Sequence, residues 1–81
     1  MNAFTEAREK AQQIVLPYIK QYEQYHCLSL EDARTILGPT YFDIMMADKV
    51  KNLGPIKNTI YYWNVIDYLT ISLQKANKNE H

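Results

Sequence analysis

Gly38 and Pro39 stand between two apolar stretches of helical period, and together they force a break in the chain at that point. Glycine supplies the left-handed conformation that ends a helix, and proline cannot continue one. Upstream, the Ser29 hydroxyl is placed to cap the free amides of Leu30, Glu31 and Asp32, with Asp32 at the third position of a capping-box-like pattern. Ala33, Ile36 and Leu37 give that helix an inward face. Downstream, Thr40 is placed to cap a short helix with Asp43 as its third residue, and Tyr41, Phe42, Ile44, Met45 and Met46 supply more apolar surface than one face needs. The sequence predicts a helix, a tight turn and a second helix.

The flanks fill in around this unit. Phe4, Ala7, Ala11, Ile14, Val15, Tyr18, Ile19, Tyr22 and Tyr25 recur at spacings of three and four, the stripe of an amphipathic helix, and Pro17 predicts a kink in it or its division into two. Past Asp48, Lys49 to Leu53 alternates polar and apolar residues, Gly54-Pro55 signals a turn, and Thr59 to Tyr62 suits a strand, so a small β-hairpin is predicted there. Asn64 is placed to cap a last helix whose Val65, Ile66, Leu69, Leu73 and Tyr68 face the core. The expected fold is mainly α with a small β-hairpin. It divides into an N-terminal amphipathic helix (1–27) that packs on the rest of the chain or forms a dimer, a central unit (28–75) and a frayed tail (76–81).

Eighty-one residues form one small domain, because a chain this short buries only roughly 60–65% of its extended surface and cannot wall a deep cleft. Nine basic and nine acidic residues give a net charge of zero, and 47% hydrophobic residues place the chain in the globular range. Its single cysteine, Cys27, cannot form an internal disulfide, which points to a reducing cytoplasm. The charged start MNAFTEAREKAQQ does not read as a signal peptide, and the apolar run from Ile60 to Leu73 is broken by Asn64 and Asp67, so no membrane contact is expected. His26 and Cys27 are the only adjacent metal-ligand types, and His81 lies in the tail, so no zinc set is expected. No nucleophile elbow, zinc-protease or phosphate-loop motif occurs, and neither an enzyme nor a cofactor is expected.

The run LSLEDARTILGPTYFDIMMADKV, a turn, and then TIYYWNVIDYL resembles the small winged helix-turn-helix DNA-binding domains of phage and mobile-element excisionases and of MerR-like regulators. Those families open with a capped helix of the form L-[ST]-x-x-E-A near a terminal L-G, continue with a short recognition helix and a two-stranded wing, and close with a helix. Leu28 to Ala33, Ile36-Leu37-Gly38 and Asp67-Tyr68-Leu69 stand at the corresponding places, with Asp32 where the pattern has Glu. The resemblance covers about half the chain. It implies a winged helix-turn-helix preceded by a kinked N-terminal helix, binding double-stranded DNA as a regulator of transcription or a recombination accessory factor.

Under that resemblance the recognition helix begins near Thr40 and Tyr41, placed to meet phosphate or a base edge, and Lys49, Lys51, Lys57 and Asn58 lie in and beside the wing. Pro39 to Tyr62 holds those three lysines against Asp43 and Asp48, a net of +1, which is a thin footprint for phosphate neutralisation. The same lysines also suit an exposed hairpin edge as ordinary solubilising charges. Tyr18, Tyr22, Tyr25, Met45 and Met46 form a second candidate set, an interaction surface for a protein partner or a homodimer, with core filling as the competing use of at least one methionine. Tyr61, Tyr62 and Trp63 add aromatics that suit an interface or stacking on unpaired bases. The alternative function is a protein-interaction module that keeps the winged scaffold and has lost DNA binding.

Overall fold

The computed structural model describes residues 2–49, 53–54 and 56–79. Helix α1 (Ala3–Val15) starts at Asn2, whose Oδ1 accepts from the Thr5 amide at 2.8 Å. The residues α1 buries are the small Ala7 and Ala11, together with Val15. Short side chains at this stripe let the helix lie close against α3 (Tyr62–Asn79), the element it packs against most extensively. Arg8 reaches across that seam to Asp67 at 2.8 Å. The N-terminal helix therefore packs within its own chain.

At Leu16 the α-helix tightens into a 3-10 helix (Leu16–Tyr25) with Pro17 in its first turn, as the proline predicts. The change of pitch corrects the predicted stripe. Three residues per turn instead of 3.6 put positions beyond 16 out of phase with Ala7, Ala11 and Val15. Tyr18 and Tyr25 accordingly stay 40% and 43% exposed, and Phe4, at the open end of α1, is 50% exposed. The 3-10 helix ends at His26 in the left-handed conformation (φ 56, ψ 39).

The chain then forms β1 (Cys27–Ser29), which pairs antiparallel with β2 (Thr59–Tyr61) in the register Cys27 with Tyr61, Leu28 with Ile60 and Ser29 with Thr59. The predicted strand partner of β2 was the Lys49–Leu53 segment. Of that segment, 50–52 lie outside the described residues, and Leu53 makes an antiparallel bridge to Ile60. Ile60 thus has backbone neighbours on both sides and is fully buried. The turn is closed by the Gly54 amide donating to the Thr59 carbonyl at 3.0 Å and by the Thr59 hydroxyl donating to the Ile56 carbonyl.

Helix α2 (Leu30–Lys49) begins as predicted, with the Ser29 hydroxyl accepting from the Asp32 amide at 3.0 Å. Gly38 breaks it with φ 82 and ψ 161, backbone angles that side chains other than glycine rarely adopt. The break is a single residue wide, so Pro39 is already the first residue of the second half. Thr40 therefore lies inside the helix and does not cap it.

A similar correction applies to α3. It starts at Tyr62, whose amide donates to the His26 carbonyl at 3.0 Å, so Asn64 is not its cap but a buried residue of its first turn, 4% exposed. The helix also continues through Asn79, past the predicted start of the tail, because Gln74, Lys75, Ala76 and Lys78 are good helix formers that need no apolar anchor to propagate it. Val65, Ile66 and Leu69 face the core as predicted. They meet Leu28, Leu37, Met45 and Ile60 there, so all three helices and both strands share one core. No helix among the described residues is long and apolar enough to cross a membrane.

Candidate nucleic-acid interface

The second half of α2 and the turn leading into β2 carry most of the predicted DNA-contacting residues. Thr40 is exposed in the first turn after the Gly38 break. Tyr41 is half-buried and packs against the core, with the Lys75 ammonium 6.0 Å from its ring centroid, so most of this side chain serves the joint between α2 and α3. Lys57 and Asn58 are both exposed in the turn before β2. Asn58 adopts a left-handed conformation (φ 63), and its carbonyl accepts from the Leu30 amide at 2.9 Å, which ties the turn to the start of α2. Lys51 and the side chain of Lys49 lie outside the described residues.

Gly54 is required in this turn for a reason of space. A Cβ there would sit 2.5 Å from the Thr59 hydroxyl oxygen and 3.2 Å from the Cys27 Cβ. The close approach brings the turn down onto the sheet.

The exposed residues of the second half of α2 include Thr40, Asp43, Ile44, Ala47 and Asp48, with Ile44 at 47% exposure. Between Pro39 and Asp48 there is no basic residue, so the field of this face is set by the two aspartates. Asp48 accepts a hydrogen bond from the Tyr68 hydroxyl. That bond, with burial and the Asp48 and Asp67 charges adding to it, pushes the Tyr68 hydroxyl up from 10.0 to about 12. On the first half of α2, the exposed Arg34 guanidinium lies 5.9 Å from the centroid of the Phe42 ring, and it is a cation that the sequence reading passed over. Its position one turn before Gly38 was the available signal.

The second candidate set separates. Met45 is fully buried in the core, which corrects its assignment to an interaction surface: the turn at Gly38 rotates it inward, between the helices. Met46 is half-buried against the same core. Tyr18 and Tyr25 are exposed, and the Tyr22 side chain lies outside the described residues. A different aromatic group does assemble where β2 meets α3. The Tyr61 and Trp63 rings stack 4.4 Å apart at an interplanar angle of 9°, Tyr62 meets Trp63 edge to face, and Trp63 stays 42% exposed.

Among the described residues, no three His, Cys, Asp or Glu side chains come together in a way that would hold a metal ion. Cys27 is a free thiol, fully buried at the start of β1. Compared with known proteins, the chain matches no family model, no curated protein and no solved structure.

Proposed function

We propose that the chain binds double-stranded DNA as a small winged helix-turn-helix protein, serving as a transcription regulator or an excisionase-like recombination accessory factor of a phage or mobile element, in the cytoplasm. The observation that carries the reading is the way the sheet frames the broken helix. β1 leads directly into the first half of α2, and β2 returns to pair with it after the turn that displays Lys57 and Asn58. The second half of α2 packs on the core, and the Asn58 carbonyl, accepting from the Leu30 amide, ties that turn to the start of the same helix. In this reading Thr40 and the outer face of 39–49 enter the major groove, while Lys49, Lys51 and Lys57 neutralise phosphates beside it. A labelled random-sequence duplex, titrated with the protein at low salt, tests it. Binding that weakens as salt rises supports the reading, and no binding above background overturns it.

A second reading draws on one specific observation, the Asp43, Ile44 and Asp48 surface with no basic residue in its stretch. Exposed apolar and acidic groups on that face suit a protein partner better than phosphate. The triple replacement Lys49→Ala, Lys51→Ala and Lys57→Ala separates the two readings. Loss of duplex binding supports the DNA reading, and cellular activity unaffected by the replacement supports the interaction module.

A further inference from the structure

Two polar contacts join α3 to the second half of α2, and their spacing matches. The Lys75 ammonium lies over the ring of Tyr41, and the Tyr68 hydroxyl donates to Asp48. Tyr41 and Asp48 are separated by seven positions, as are Tyr68 and Lys75, so the two helices run antiparallel and are held at both ends of about two turns. Between these ends, Met45 and Leu69 belong to the same buried core. α3 is thus a splint along the half-helix that the DNA reading sends into the groove.

The Tyr68 end has a second consequence, because its partner is an acid. Asp48 is exposed at the C-terminal end of the half-helix, where a free carboxylate repels phosphate. We propose that Tyr68 is a positioning residue for the DNA-facing half of α2: by donating to Asp48 it fixes the end of that half against α3 and holds the Asp48 carboxylate toward α3. This rests on the DNA-binding reading above. Asp67, the other acid beside Tyr68, is already paired with Arg8, which leaves the hydroxyl to Asp48. Trading the hydroxyl for hydrogen removes this contact alone, since the Tyr68 ring packs against the core and a phenylalanine ring keeps that packing.

The test compares the unaltered protein with Tyr68→Phe, Asp48→Ala and the double variant. The readouts are duplex binding by fluorescence anisotropy at one low salt concentration and amide hydrogen exchange of residues 41–48. Tyr68→Phe is expected to remain folded, to exchange faster in 41–48, and to bind the random-sequence duplex about threefold to tenfold more weakly, the range of one ordinary net hydrogen bond. In the Asp48→Ala background, which has no side-chain acceptor, the same change is expected to alter binding by less than about twofold. A role of the hydroxyl that does not run through Asp48 would leave the loss undiminished in that background, and this result overturns the proposal. Unchanged exchange and unchanged binding in Tyr68→Phe overturn it as well. If the unaltered protein fails to bind the duplex, the DNA reading falls, and the exchange of 41–48 still decides whether Tyr68 clamps the helix.

Discussion

Gly38 and Gly54 show how one residue type serves two physical ends. At Gly38 a Cβ would meet nothing within 4 Å, so the glycine is needed only for its backbone angles. Gly38→Ala should cost about 1–3 kcal/mol of strain. At Gly54 the obstacle is the Thr59 side chain and the Cys27 Cβ, and Gly54→Ala should cost about 1–3 kcal/mol through overpacking. Urea denaturation of each variant reads these losses, and a midpoint unchanged in either would refute its assignment. Ser29→Ala, which removes the cap of α2, should cost about 1 kcal/mol by the same assay. Tyr68 adds a pH dependence with a definite sign. Its folded value, about 12, lies above its ordinary 10.0, so its contribution to stability is complete below pH 10 and is lost as pH rises from there through 12. Denaturation at a series of alkaline pH values should show a steeper loss across that window in the unaltered protein than in Tyr68→Phe, and parallel curves would contradict the Tyr68 contact. Caps and breaks of this kind were readable in the sequence because they act locally: Ser29 to Asp32 and Gly38-Pro39 each lie within a few residues. The Tyr68–Asp48 and Arg8–Asp67 contacts were not readable, since their partners are brought together only by packing.

Among the elements, α1 is where local pattern and tertiary structure diverge most. Its apolar stripe is visible in the sequence, but which members are buried depends on how closely α3 approaches and on the shift to a 3-10 helix at Leu16. Neither is encoded in spacing alone. Widening the α1–α3 seam should therefore be costly even though the residues are small. Ala11 is fully buried, and Ala11→Leu should destabilise the fold by about 1–3 kcal/mol through overpacking, whereas Arg8→Ala, which removes an exposed ion pair, should cost under about 1 kcal/mol. Thermal melts of the two variants check the order, and a larger loss from Arg8→Ala would reverse the account of that seam. β1 was hidden from the sequence reading for a related reason. A strand of three residues carries almost no periodic signal, and its partner lies some thirty residues away. β2 was legible because Thr59, Ile60 and Tyr61 all favour strands and follow a turn.

For the whole molecule, the balance of charge decides how strongly the proposed interface can act. The chain is neutral overall, and the cationic members of its predicted DNA contacts are Lys49, Lys51 and Lys57, so phosphate neutralisation is shallow and depends on few residues. Position and shape must then supply what charge does not: the Gly38 break, the sheet that frames it and the α3 splint together fix the half-helix and the turn relative to each other. The direct measurement is the salt dependence of duplex binding in the unaltered protein and in Lys57→Ala. Three phosphate contacts predict a slope of log K against log salt near about −2.7, reduced in magnitude by about 0.9 when Lys57 is removed. Binding to the duplex that is absent at low salt, or a slope unaffected by Lys57→Ala, would contradict the account.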